Sequence, residues 1–590
     1  VLGQHWISPS LVAALLLLFP LTEASRAADQ PVSGAPAPGQ YSALTQITPQ
    51  NAGKLKLVFS HEIAQGGGYS GQLAVARDRL YLQTPFPHSI LAFDLENPGQ
   101  EPIWSNTPQS DSRALGLDCC SATIGGPALD GDRLYVNTFD GHTIAFDAAT
   151  GQVAWNVRSA DPHLGETLAL PPLAVGGRLI IGNGGDDNGA RGWIAALSTR
   201  DGHMLWKWNN TGADADVGID ARFAPAYAGE RGSDLGIATW RPSAWRHGGG
   251  GLAGQPVYDA ERRLLIYPTG HPAPWNPELR PGDDKWTSGI FARDAADGSA
   301  RWFTPINGHD PYAFGAPGSL IAADFPWQGR SRPLLIHPDA NGYVYVLDRA
   351  SGEILAADPF IKVNADEGVE LYSGRLQRED AKAIHTNTNT RDICPGWPGA
   401  TGTDGLAVAN AAFAPALGLL FIPVNGLCMD MEGRNATFIP GTAYMGANLR
   451  AKPMPGRDVG GIVAWNVVQR RIAWRGEEAF PVQSSVLATA GGVVFYGTLD
   501  GWFKALDAAT GRPLWRYHAT SGIIASPLTF QRDGRQYVAI VAGIGGPIGR
   551  AAQNGIDLRD ATAAHGFANA LHDLPMPRSH GGTLYVFGLP

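Results

Sequence analysis

Short apolar runs broken by turn residues fill most of the chain, and few segments show the three-to-four spacing of an amphipathic helix. One unit recurs. An apolar strand is followed by a short turn, a second apolar strand ending in Asp, a turn closed by Thr-Gly or Asp-Gly, and then a Trp. Asp147-Ala-Ala-Thr150-Gly151-Gln-Val-Ala-Trp155 and Asp507-Ala-Ala-Thr510-Gly511-Arg-Pro-Leu-Trp515 are the clearest copies. Asp294-Ala-Ala-Asp297-Gly298 leads to Trp302, and Asp348-Arg-Ala-Ser351-Gly352 leads to Leu355. Weaker copies end at Trp104, Trp206 and Trp474, and Tyr537 to Ala542 with Thr583 to Phe587 forms a last unit. In each turn Asp accepts from the turn amides and Gly supplies positive φ. The Trp is then placed to pack between successive sheets, its indole N–H reaching the next one.

A unit of this size cannot bury both faces of its own sheet, so the units must stack on one another. The pattern predicts an all-β fold, an eight-bladed β-propeller of four-stranded antiparallel blades. Leu55-Lys-Leu-Val-Phe59 is placed to complete the last blade and close the ring. The 75 Gly and 44 Pro fit an architecture of many tight turns. No internal linker, low-complexity stretch or charge block divides the 590 residues.

The formal net charge of −9 offers no basic face for nucleic acid. An apolar run from Leu11 to Phe19, then Pro20 and Ser25-Arg26-Ala27, reads as a signal peptide over residues 1–27. Residues 28–41 are then expected to be a disordered entry and 42–590 a single propeller domain. No later run is long enough to span a bilayer. The expectation is an exported, periplasmic, soluble protein. Its four cysteines, Cys119, Cys120, Cys394 and Cys428, are an even number, which in an exported chain suggests disulfides.

Several long motifs resemble the methanol/ethanol quinoprotein dehydrogenases, which use pyrroloquinoline quinone (PQQ) and a bound metal. They are Gly491-Gly492-Val-Val-Phe-Tyr-Gly-Thr-Leu-Asp-Gly-Trp502-Phe-Lys-Ala-Leu-Asp507, Ser521-Gly-Ile-Ile, and Tyr537-Val-Ala-Ile through Gly543-Ile-Gly-Gly546. Pro272-Ala-Pro-Trp275-Asn276 with Arg280-Pro-Gly-Asp283-Asp284-Lys285-Trp286 is similar to the segment beside that family's metal site. The resemblance covers nearly the whole mature chain. It implies a vicinal Cys119–Cys120 disulfide against the quinone ring and a second disulfide, Cys394–Cys428. It also implies a PQQ cofactor with calcium or a lanthanide, an alcohol as substrate, and a separate cytochrome c as electron acceptor.

Matched residue by residue, the pocket departs from that pattern. The family's pocket Glu falls at Ser70, its first pocket cation at Gly125, and its second at Ala340. The stacking Trp falls at Ala253, the catalytic Asp at or beside Ala313, and a further pocket Trp at Gln483. The metal-binding Glu falls at Asp187 and the metal-binding Asn at His271. A three-carboxylate ligand therefore lacks its matched charges. Asp187 and His271 are candidates to share one metal. An imidazole there favours a transition metal over calcium. His309 and Asp310 are candidates for a replacement base. Trp240, Trp245, Trp275 and Trp397 are candidates for an aromatic ligand wall. Two functions follow. One is a PQQ-dependent alcohol dehydrogenase. The other, favoured by the site chemistry, is a non-catalytic propeller, a pseudoenzyme that binds a small-molecule ligand in its central pocket or a partner.

Overall fold

Each Asp-x-x-x-Gly turn receives a Trp from the preceding sheet, and this contact spaces the sheets. In the computed structural model, which describes residues 40–66, 68–76, 78–97, 101–117, 125–401, 411–456, 459–545, 566–575, 577–579 and 581–590, the Asp147 carboxylate accepts from the amides of Ala149 (3.1 Å) and Thr150 (2.9 Å). Trp104 lies on that turn, its Nε1 donating to Ala148 O at 3.2 Å. Trp155 donates to Thr199 O, Trp474 to Ala508 O and Trp515 to Leu55 O, at 3.0–3.1 Å. The glycine is required for the ring to sit down. A Cβ on Gly151 would lie 2.5 Å from the Trp104 ring, and one on Gly511 2.6 Å from Trp474.

Eight antiparallel sheets follow in chain order: residues 74–106, 128–158, 173–209, 257–305, 321–359, 412–478, 487–518, and 528–588 with 56–66. First strands of successive sheets touch. Ala74–Ala76 meets Ala128–Asp130, Ala128–Asp130 meets Leu173–Val175, and Val257–Asp259 meets Ile321–Trp327. These strands are therefore innermost, and the Trp-bearing fourth strands lie outermost. Lys56–Gly66 pairs antiparallel with Gly581–Gly588, so the eighth sheet is built from both ends of the propeller.

Strand pairing explains why the Trp fits where it does. Trp104, Trp155, Trp206, Trp302, Trp474 and Trp515 stand opposite Ala92, Ala145, Ala196, Ala292, Ala464 and Ala505. A small cross-strand neighbour leaves room for each indole. In the fifth sheet the equivalent position is Ala356, opposite Val346, and not Leu355, so bulk has moved across the pair. Not every indole reaches a partner: Nε1 of Trp206 and of Trp302 is buried without one. Beside Trp206 it is Trp208 that donates, to Asp297 O at 2.9 Å.

Tyr41, expected in a disordered entry, instead pairs with Ala488 in a short parallel strand, Tyr41–Ser42, on the seventh sheet. Cys394 and Cys428 are bonded, with Cα atoms 4.4 Å apart. The bond anchors Leu427–Gly433, central in a three-stranded sheet with Asn389–Ile393 and Ala447–Pro453. Cys119 and Cys120 lie outside the described residues. No helix among the described residues is long and apolar enough to cross a membrane.

Gly151→Val should lower stability by about 2–4 kcal/mol, since it combines a ring clash with a positive φ. Gly131→Ala, also at positive φ but facing open space, should cost only about 1 kcal/mol. Urea midpoints compare the two, and equal losses would contradict the docking account.

Candidate functional site

Four loops interlock around one acidic pair: residues 183–192, 248–253, 269–276 and 309–316. Gly192 N donates to Gly249 O at 2.9 Å, Leu252 N to Asn183 O at 2.7 Å, and Gly270 N to Gly251 O at 2.7 Å. Gly250 N donates to His271 O at 3.1 Å. The approach is close enough that a Cβ on Gly270 would overlap the Asp186 carboxylate. Glycine at this point lets Asp186 lie half-buried, its Oδ1 accepting from Gly251 N at 2.7 Å.

Asp187 and His271 come together. His271 Nε2 lies 3.2 Å from Asp187 Oδ1, and the Trp275 indole donates to the same oxygen at 2.8 Å. The other ring nitrogen, Nδ1, lies 3.2 Å from Pro272 O. The Trp275 ring meets the imidazole edge-on at 5.9 Å, and Tyr444 N donates to Asp187 O at 2.6 Å. Burial works against a charged His271, but the Asp187 bond and the charges of Asp187, Asp186 and Asp310 outweigh it and lift its pKa to about 9. Burial also pushes Asp186 up, to about 6, with the nearby His271 charge and the Gly251 amide partly offsetting it. Among the described residues no three His, Cys, Asp or Glu side chains converge as a metal site.

His309 and Asp310 do not pair with each other. Asp310 is fully buried and accepts from Ser288 Oγ (2.9 Å) and from the amides of Tyr312, Phe314 and Gly315 (2.6–3.3 Å). It ties down its own loop. His309 turns instead toward Asp284, with Nδ1 3.5 Å from its Oδ2. Sequence neighbours on a tight loop project apart, and this separates them. Arg280, whose role sequence reasoning missed, lies beneath both loops. It is fully buried, 2.7 Å from Asp284, and donates to the carbonyls of Pro274, Trp275 and Asp310. The Arg280 to Trp286 motif marked the segment; its role depends on loops distant in sequence.

The matched pocket positions lie in apolar or backbone surroundings. Ala340, Ala313, Trp275 and Trp397 share a buried cluster with Met429 and Phe567. Ala340 is fully buried, packed so closely that a Cβ on Gly399 would lie 2.3 Å from its own. Gly125 bridges two loops by backbone alone, accepting from Gln72 N and donating to Ala169 O. The expected aromatic wall is half formed. Trp275 and Trp397 adjoin at 5.5 Å and Phe567 follows at 6.0 Å. Trp240 instead donates to Lys285 O, and Trp245 is flanked by the guanidinium groups of Arg191 and Arg246.

The fold and these interlocked loops define an eight-bladed, Trp-docked propeller with a histidine–carboxylate centre. Residues 30–357 and 461–538 match the family described as PQQ: Glucose/ethanol/alcohol dehydrogenase, beta-propeller domain. The chain is 34% identical to the lanthanide-dependent methanol dehydrogenase of Methylorubrum extorquens, covering 93% of this chain and 92% of that protein. It is 34% identical to methanol dehydrogenase [cytochrome c] subunit 1 of Paracoccus denitrificans, with 93% and 88% covered. A solved europium-containing methanol dehydrogenase superposes with a TM-score of 0.89 at 34% identity, covering 93% of this chain and 96% of that one. The chain belongs to the PQQ-dependent alcohol/methanol dehydrogenase family.

His271 is raised from 6.5 in the native state. The stability it contributes is therefore complete below about pH 6.5 and lost as pH rises through about 9. Asp186, also raised, adds a loss of stability between about pH 4 and pH 6. Melting temperature against pH should fall for the wild type between pH 6.5 and 9, and that limb should flatten in His271→Gln. An unchanged limb would remove His271 as its source.

Proposed function

We propose that this chain keeps the propeller of its family as an exported module that binds a small neutral or apolar ligand, and does not carry out quinone-dependent alcohol oxidation. The observation that carries this reading is the missing positive charge. The positions matched to the family's two pocket cations are Gly125 and a fully buried Ala340. Arg280, a buried guanidinium of this region, is committed to Asp284 and three carbonyls. PQQ carries three carboxylates, and loss of one bidentate Arg–carboxylate pair costs about 2–5 kcal/mol. Ala253 offers no second stacking face. Ala313 offers no carboxylate where proton abstraction would occur, and Asp310 is held by Ser288 and by the amides of its own loop. The residues present therefore do not fit the quinone. They fit the metal no better: His271 Nε2 already faces Asp187, and the cluster of Trp275, Trp397 and Met429 favours an uncharged ligand.

The family's own activity is the second reading, favoured by the similarity to methanol dehydrogenases over nearly the whole chain. In that case the protein is a periplasmic oxidoreductase acting on the CH–OH group of an alcohol. It uses PQQ with calcium or a lanthanide and passes electrons to a cytochrome c. Export rests on the apolar run Leu11 to Phe19 in either case.

Titration of purified protein with PQQ in the presence of calcium, lanthanum or zinc, followed by a dye-linked assay with short alcohols, separates the two. The expected result is weak or no quinone binding and turnover below about 1 s⁻¹. Tight binding with ordinary turnover would establish the dehydrogenase reading. Restoring Arg at Ala340 alone should not restore activity, because charge, stacking and base act as a unit.

A further inference from the structure

Building on the reading of a neutral ligand, we infer that the ion pair of Asp366 and Arg378 is the polar end of the ligand pocket, and that it selects a hydroxyl or primary amide on a small apolar body. Asp366–Glu370 and Arg375–Arg378 form a two-stranded hairpin, and Asp366 and Arg378 stand opposite each other at its open end. Arg378 Nη1 donates to Asp366 Oδ1 at 2.9 Å, and the aspartate side chain is only 1% exposed. That single contact leaves half of each group unused. Asp366 Oδ2 and Arg378 Nη2 are both buried, and neither has a hydrogen-bond partner. Folded proteins seldom bury such an atom, because its lost hydration goes uncompensated. Here a free acceptor and a free donor lie on the two members of one ion pair.

The pair adjoins the apolar cluster. The Arg378 guanidinium lies 5.5 Å from the centre of the Tyr312 ring, and Tyr312 and Ala365 belong to the cluster of Ala313, Ala340, Trp275 and Trp397. The base of the hairpin is fixed. Glu379 N donates to Ala365 O at 3.0 Å, and the Asn364 side chain donates to Asp392 O and accepts from Cys394 N. Charge decides the class of ligand. Arg378 is already matched by Asp366, and Asp310 and Asp339 act on Asp366 as further negative charges. An anion would meet that excess, and a cation would leave Arg378 Nη2 without an acceptor. A hydroxyl or a primary amide is neutral and both donates and accepts. Its hydrogen goes to Asp366 Oδ2, its oxygen accepts from Arg378 Nη2, and its apolar remainder lies on the cluster.

The test is calorimetric titration of the full chain, free of quinone, with five probes that share one ring: benzamide, benzyl alcohol, toluene, benzoate and benzylamine. The stronger of benzamide and benzyl alcohol should bind about tenfold or more tightly than each of the other three. The double variant Asp366→Leu with Arg378→Met replaces the pair by apolar groups of similar size, an exchange that buried ion pairs often tolerate. In it the preference should vanish, with toluene bound at least as tightly as benzamide. Toluene equalling both polar probes in the wild type would overturn the inference and leave the neutral-ligand reading standing. Benzoate or benzylamine binding most tightly would overturn both. A folded double variant that keeps the preference, or a wild type that binds no probe, would overturn the inference, and the quinone titration then decides the reading separately. Should the double variant fail to fold, the wild-type series decides alone.

Discussion

The contact between an indole and the glycine of the next sheet's turn is the constraint on which the rest of this molecule depends. It recurs from Trp104 on Gly151 to Trp474 on Gly511, and the Ala opposite each Trp makes space for it. Spacing set at the outer strands fixes how closely the inner strands approach. That in turn fixes where the loops carrying Asp187, His271 and Asp310 meet. The docking positions lie at the rim, and the chemistry lies in loops that they position without touching. Such a division lets the framework of a family persist while its pocket residues change.

At the centre, charged groups from several loops meet. One histidine stands among three aspartates, and Arg280 is occupied in joining two loops. Around them, Trp275, Trp397, Met429 and Phe567 form an apolar cluster. Asp186, Asp187 and Asp310 each accept from a donor of the protein itself.

The architecture was legible in the sequence because its signals are local. An Asp, a Gly and a Trp within nine residues specify turn, backbone conformation and docking together, and the copies could be aligned by eye. Where one member of the set was absent, the reading slipped by a residue, as with Leu355 and Ala356, because only strand pairing decides which side chain faces the next sheet. Tyr41 was misread because its partner, Ala488, lies at the far end of the chain. The site was legible in part. Asp187 and His271 could be brought together through motifs that resemble a known family, and they meet at 3.2 Å. Their environment could not be foreseen. The partner of His309 is Asp284 rather than its neighbour, and Tyr444 reaches Asp187 from a loop with no motif of its own. Both depend on convergence of segments that no sequence spacing encodes.

Closure of the ring by Lys56–Gly66 against Gly581–Gly588 carries a consequence for how the protein must be made. Until the final strand has emerged, Lys56–Gly66 and Arg535–Ala542 each present an unpaired edge, and no arrangement of the other sheets can hide it. A chain halted shortly before its end would offer two sticky flanks to any neighbour, the template on which strands of different molecules join. Pairing of such distant segments is slow to find. Synthesis must therefore deliver the whole polypeptide before the propeller becomes a self-contained object.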